Sequence, residues 1–379
     1  MKFSKTAKMI ATSVVTLASV VALAACTSSS QKANSSQTVE VETKSLNTLY
    51  QEALKEGGTV VYYAGGDTAE QNDDTKTAFE QRFPGMKLEV VTDYSKVQNG
   101  RLEYQMATNN VVADVVQLQT LNDFTYWKKQ NKLLTYKPAG WDKVYKDFKD
   151  PDGTWVGGYV LAFGNVVNTK ALGSTSEPKT AKDLLNSELK GKLISTYPND
   201  DDAVLFWYKQ MIDKNGWEWM ANLIKQDPKF VRGTQEPGDK VGAGEYAVTL
   251  GTAGLLDQSA ESHLVIPEKE GFVAWAQRMA ILKDAKHPAG AKLFENWLLD
   301  KETQQNNIFQ WSVRTDATPA GVKPIWEYKN ANLKEFVNFM EDRAEVERFR
   351  AQIRLFVGDV QGPSSAGERG LTPSTRAVQ

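Results

Sequence analysis

The chain has 379 residues, 45 basic against 47 acidic side chains, and 41% hydrophobic content with ten Trp and fifteen Phe. That composition describes a globular protein rather than a disordered one, and the charge balance lacks the basic excess that nucleic-acid binding demands. A single cysteine excludes an intrachain disulfide, a Cys-rich metal cluster and a dithiol redox pair.

Lys2, Lys5 and Lys8 form a basic start, and Met9 to Ala25 is mostly apolar. The pattern is that of a secretory leader, too short and too mild for a permanent membrane span. The run ends in Leu23-Ala24-Ala25-Cys26, which resembles the lipobox of bacterial lipoproteins. The resemblance implies that Cys26 is lipidated and becomes the first mature residue, so that the protein is held on the extracytoplasmic face of the cell membrane. Without the three leader lysines the balance is 42 basic against 47 acidic residues, a net charge near −5. Residues 27–44, "TSSSQKANSSQTVEVETK", carry too little apolar surface to fold and read as a tether.

The body opens with "LNTLYQEALKEGG", a helix stopped by Gly57-Gly58, then the strand "TVVYYA". A helix over 73–83, a Pro84-Gly85 turn and the strand "KLEVV" complete a β-α-β unit, which implies a parallel sheet. A helix near 97–108, a strand over 113–119 and a helix near 121–130 continue it. "WVGGYVLAFGNVVNT" and "HLVIPEKEGFVAWA" are β-rich, and between them "KLISTYPN", two helices, "KFVRGT" and "YAVTLGT" form a second α/β unit. Helical spacing of Phe336, Met340, Val346, Phe349, Ile353 and Phe356 predicts one long helix over about 333–357 that packs on the first unit. Gly, Pro and Ser after Gly358 predict a loose tail.

In order and spacing, "AFEQRFPGMKLEVV", "RLEYQMATNNVVADVVQLQ", "KQNKLLTYKP" and "HLVIPEKEGFVAWAQRMAILKDAKHPAGAKLFENWLLDKETQQ" resemble the type II extracellular solute-binding proteins of ABC importers. The resemblance implies an α/β fold of two hinge-connected lobes around a ligand cleft, of the periplasmic-binding-protein-like type II. Its expected divisions are a leader over 1–25, a tether over 26–44, a first lobe over 45–162 and 275–357, a second lobe over 163–274, and a tail over 358–379. It implies a monomer that binds a small solute, uses no cofactor, contacts no nucleic acid, and delivers to a separate permease and ATPase.

Strand ends and helix starts supply the candidate cleft residues. Gly66, Asp67 and Thr68 lie between a strand and a helix, where backbone amides suit an anion and Asp67 suits a donor. Gln119 ends the third strand, and Asn199 and Asp200 precede an apolar helix, a position that the helix dipole also favours without any ligand. Thr234 and Gln235 precede a helix that starts near Pro237, and Thr252 follows a strand in a glycine-flanked turn. Trp275, with Tyr63, Phe163, Tyr197 and Tyr246, suits either an organic cation or core packing. Arg232 and Arg278 suit phosphate or carboxylate.

Within the family the chain most resembles the ferric-iron branch, yet the adjacent tyrosines of that branch are replaced by Gly251-Thr252-Ala253-Gly254. Tyr62-Tyr63 lies on a strand, where neighbouring side chains face opposite ways and cannot share one ion. No metal site is therefore assigned, and the solute classes left open are an iron or metal complex, a polyamine, a thiamine-like compound and a phosphorylated compound. The two histidines, His263 and His287, read as structural, and no nucleophile elbow, phosphate loop or His-Glu-x-x-His helix is present. A surface hydrolase and an adhesin or scaffold lipoprotein are the alternatives.

Overall fold

The computed structural model describes residues 39–306 and 308–374. The leader, Cys26 and most of the tether lie outside the described residues. Among those described, no helix is long and apolar enough to cross a membrane.

In chain order the elements are α1 (Leu46–Glu56), β1 (Thr59–Gly65), α2 (Asp73–Arg82), β2 (Lys87–Asp93), α3 (Ser95–Ala107), β3 (Val115–Leu118) and α4 (Leu121–Lys129). They continue with β4 (Val156–Asn168), α5 (Thr169–Leu172), β5 (Leu193–Thr196), α6 (Asp202–Ile224), β6 (Lys229–Val231), α7 (Gln235–Gly242), β7 (Val248–Thr252), β8 (Ser262–Leu264) and β9 (Val273–Ile281). The last are α8 (Pro288–Leu298), α9 (Lys301–Asn306), α10 (Glu335–Glu341) and α11 (Arg343–Val357).

Local chemistry sets the helix ends. The Ser45 side chain accepts from the Thr48 amide at α1, and Gly57, at φ 127°, ends that helix. Pro288 opens α8, where a missing N–H costs nothing. Gly216, at φ 77°, breaks α6 into the two helices that its sequence suggests.

The strands are ordered β2-β1-β3-β9-β4-β7-β5-β6, with β8 against β4. β1 is parallel to β2 and β3, and β5 is parallel to β6 and β7, so the sheet has two parallel halves. Antiparallel β4 and β9 join them: β4 pairs β9 from Val156 to Phe163 and then β7 from Gly164 to Val167. Alternation along β1 sends Val60 and Tyr62 to one core, with Phe79 and Phe294, and Val61 and Tyr63 to another, with Phe124 and Trp127. A third core surrounds α6.

Several expectations fail. The end of the expected tether is ordered at Val41 and Glu42, which pair with Lys137, the Glu42 amide donating to its carbonyl at 2.8 Å. The long terminal helix is two helices, parted at Asp342, whose carboxylate caps α11 through the Glu345 amide at 2.9 Å. Val346, Phe349 and Ile353 of α11 join the core around α6 in the second half of the sheet, because Trp217 offers Phe349 and Phe356 an aromatic surface there. The tail over 358–374 is not loose. Its backbone carbonyls accept from Asn199, Arg232, Arg101 and Gln105, which compensates for its lack of apolar side chains.

Candidate functional site

Parallel strands in the two halves point their carboxyl ends at one another, the usual place for ligands in an α/β fold. The loops after β1, β2 and β3 face those after β5 and β6 across a cleft whose floor is β4 and β9. A cavity of about 70 Å³ remains between them, several times what one water requires.

From the first half come Gly65, Gly66 and Asp67 after β1, Tyr94 to Lys96 after β2, and Gln119 and Thr120 after β3. The glycines are required there. A Cβ on Gly65 would lie 2.3 Å from Ser95 Oγ, and one on Gly66 would lie 2.5 Å from Thr92 Cγ2. From the second half come Asp200 to Asp202 at the start of α6 and Gly233 and Thr234 after β6. The floor presents Tyr159, Leu161 and Phe163 of β4 and Trp275 and Gln277 of β9.

Among the described residues, Asp67 and Lys96 make polar contacts across the cleft. Asp67 Oδ2 accepts from the Thr234 amide at 2.7 Å and from its hydroxyl at 2.6 Å. Lys96 forms an ion pair with Asp200 and donates to the Asp200 carbonyl at 2.6 Å. Burial pushes the Asp67 carboxyl up, against the two Thr234 bonds. Burial acts on Asp200 in the same sense, but Arg232 at 2.8 Å and the charge of Lys96 outweigh it and hold Asp200 below the usual carboxylate range. Asp201 is pushed up to about 7 by burial and by the charges of Asp67 and Asp202, while it caps α6 through the Ala203 and Val204 amides at 2.9 and 2.8 Å.

Of the residues singled out in the sequence, Gly66, Asp67, Gln119, Asp200, Thr234 and Trp275 border the cavity. Thr68, Asn199, Gln235 and Thr252 do not. Asn199 instead donates to the Gly358 carbonyl, Gln235 to Asp239 within α7, and Thr252 to the Thr234 carbonyl. The anion seat expected at Gly66 to Thr68 is also reduced, since the Gly66 amide donates to Asp93 at 3.0 Å and that of Asp67 to Gln71 at 2.5 Å.

Among the aromatic candidates, Trp275 is 1% exposed and meets Phe163 edge-on at 4.9 Å, so it forms the base of the site while packing as core. Tyr63 is held by Gln105 and by the tail, Tyr197 stacks on Phe230, and Tyr246 packs against the first core. Arg278 is buried over the Trp155 ring at 3.9 Å and donates to the Leu121 carbonyl, and Arg232 pairs with Asp200. Neither arginine is free for an anion. His263 bonds the Ala260 carbonyl and His287 bonds Asp114, as structural histidines do. Sequence reasoning missed Tyr94, Lys96, Gln71, Tyr159 and Gln277. The stretch Asp93-Tyr94-Ser95-Lys96 follows a predicted strand, and that position alone marks it as cleft-lining.

Residues 111–340 match the family described as bacterial extracellular solute-binding protein. The chain belongs to that family. Its members are solute-binding proteins, not enzymes, and work outside the membrane with the permease and ATPase components of ABC importers. An uncharacterised protein of Haemophilus influenzae is 26% identical over 306 residues, covering 73% of this chain and 85% of its own. Among solved structures, the periplasmic binding protein AfuA of Actinobacillus pleuropneumoniae, with fructose-6-phosphate bound, aligns at TM-score 0.62 and 21% identity over 79% of this chain and 98% of its own. Iron-bound HitA of Pseudomonas aeruginosa aligns at 0.60 and 17% identity, over 78% and 99%. An ABC-transporter substrate-binding protein of Agrobacterium tumefaciens aligns at 0.67 and 10%, over 79% and 95%. These likenesses show the type II periplasmic-binding-protein fold expected from the sequence.

Proposed function

We propose that this chain is a lipid-anchored receptor, tethered through Cys26, that closes its cleft on one small polar organic solute and presents it to a permease. The two halves of the sheet act as hinged lobes, with β4 and β9 as the hinge strands. The observation that carries the reading is the cavity at the facing strand ends, bordered by Asp67, Asp200 and Thr234 and crossed by the Asp67–Thr234 and Lys96–Asp200 contacts.

The relatives name two different cargoes, fructose-6-phosphate for AfuA and iron for HitA. An organic solute fits this chain better than a bare ferric ion. Among the described residues no three His, Cys, Asp or Glu side chains are arranged to hold a metal, and each cavity aspartate already has a protein partner. Glutamines and aromatic rings on the cavity wall supply hydrogen bonds and a flat apolar base of the kind small polar solutes use.

The test is calorimetric titration of the chain with fructose-6-phosphate, spermidine, thiamine, a phosphonate and ferric citrate. One compound class is expected to bind at one solute per chain. Binding of ferric iron alone, in the absence of citrate, would contradict the organic reading. The anchor is tested separately: Cys26→Ser should move the protein from the membrane fraction to the soluble one, and an unchanged distribution would remove lipidation from the account.

A further inference from the structure

The tail beyond α11 does something that its composition conceals. It leaves the second half of the sheet, where α11 is rooted against α6, and runs across to the first half. Near its start it is held by the second half: Asn199 donates to the Gly358 carbonyl at 3.0 Å and Arg232 to the Gly362 carbonyl at 3.3 Å. Further on, it is held by the first half. Tyr94 shares a hydrogen bond with Ser365 Oγ at 2.7 Å and accepts from the Ser365 amide at 3.1 Å, Arg101 donates to the Gly370 carbonyl at 2.9 Å, and Gln105 donates to the Leu371 carbonyl at 2.8 Å.

The dock on the first half is held by first-half groups. Asp93 at 2.8 Å and Gln98 at 2.6 Å fix the Arg101 guanidinium, which is 2% exposed with the tail in place, so that its Nε–H points at the Gly370 carbonyl. Ala366 is 3% exposed, although most of its neighbours in the segment lie on the surface. Ser365 Oγ would lie 2.8 Å from a Cβ on Gly233, and Asp67 Cβ would lie 3.1 Å from the same point, which puts the tail at the rim of the cavity where Tyr94, Gly233 and Asp67 meet. Because the tail is recognised mainly through backbone carbonyls, its small residues suit the dock, and a Gly-, Pro- and Ser-rich sequence is what such a strap requires.

We propose that residues 358–374 form a strap that ties the two lobes together, so that the cleft opens only when the strap lets go of the first half. The strap rests on the hinged-lobe reading above but needs no solute, so its test and the solute test can fail separately. Opening would draw Tyr94 and Arg101 away from Asn199 and Arg232, and a segment bonded to both cannot follow both. Its covalent root stays with the second half, so release occurs at Tyr94, Arg101 and Gln105. The strap thereby sets the population of the open form that admits a solute.

The experiment is a spin-label distance measurement on the full chain carrying Cys26→Ser, Gln81→Cys and Glu188→Cys, the two labels sitting at exposed sites in opposite halves. It is repeated with the chain ended after Gly358 and with Ala366→Asp. The full chain should give one short distance. Both tail variants should add a longer one, with the open-to-closed ratio raised at least about tenfold, the equivalent of roughly one net hydrogen bond lost. Unchanged distances in the shortened chain, with cooperative melting retained, would overturn the strap, as would a full chain that already shows both distances in the same ratio. Should the shortened chain not fold, Ala366→Asp decides alone, since one exchanged side chain leaves α11 in place.

Discussion

Asp67 ties the two halves at the rim of the cavity, because one carboxylate oxygen takes both the amide and the hydroxyl of Thr234 from the opposite half. Asp67→Ala leaves the Thr234 amide without its acceptor at a buried rim, and the expected loss is about 1–3 kcal/mol of unfolding free energy, read by urea titration. Gly66→Ala tests the neighbouring backbone. Its new methyl would meet Thr92 at 2.5 Å, and a cost of about 1–3 kcal/mol is expected from overpacking.

Glu295, far from the cleft on α8, gives a pH prediction with a definite sign. Burial pushes its carboxyl up to about 8, and no hydrogen bond reaches its Oε2. A folded-state value above the unfolded one means that its contribution is whole below pH 4.5 and is lost as pH rises through 8, by about 1.4 kcal/mol for each pH unit between the two. Glu295→Gln should therefore melt close to the native chain at pH 5 and well above it at pH 8. Equal melting differences at both values would contradict the assignment.

At the scale of elements, period and turn chemistry located most helices and strands to within a residue or two. Gly57-Gly58, Pro84-Gly85 and Pro288 carry backbone signals that need no tertiary context. What periodicity could not settle was the partner of an amphipathic face. Phe349 and Ile353 are apolar at helical spacing whichever lobe they meet, and what places α11 on α6 is tertiary: the Trp217 ring against Phe349 at 5.6 Å and Phe356 at 5.2 Å, and the Lys209–Glu345 and Arg350–Asp202 ion pairs. Phe349→Ala should cost about 3–5 kcal/mol, the usual range for an aromatic removed from a core, and should destabilise the core around α6 first, as hydrogen exchange would show. The break at Asp342 was equally hidden, since a capping aspartate inside a continuous apolar stripe looks like any exposed charge.

For the whole molecule, two parallel-sheet units and the place of a cleft were legible because each β-α-β stretch implies parallel strands and ligands gather at strand ends, whereas the strand order that joins them through β4 and β9 was not. Individual cleft residues were legible only in part. Asp67 and Thr234 lie 167 positions apart in sequence, and nothing local distinguishes Thr234, whose hydroxyl crosses the cleft, from Gln235, whose side chain turns back onto Asp239. The tail was misread for a related reason: a segment that docks by its carbonyls leaves no side-chain signature. The account's central claim is that the cleft captures one class of small solute, and thermal unfolding tests it most directly. The native chain and Asp67→Ala would each be melted alone and with a sugar phosphate, a polyamine, thiamine, a phosphonate and ferric citrate. At about 100 times its dissociation constant, one class should stabilise the native chain by roughly 2.7 kcal/mol, with a smaller shift in the variant. A native chain that none of them stabilises, or a shift that survives the loss of Asp67 in full, would contradict the claim.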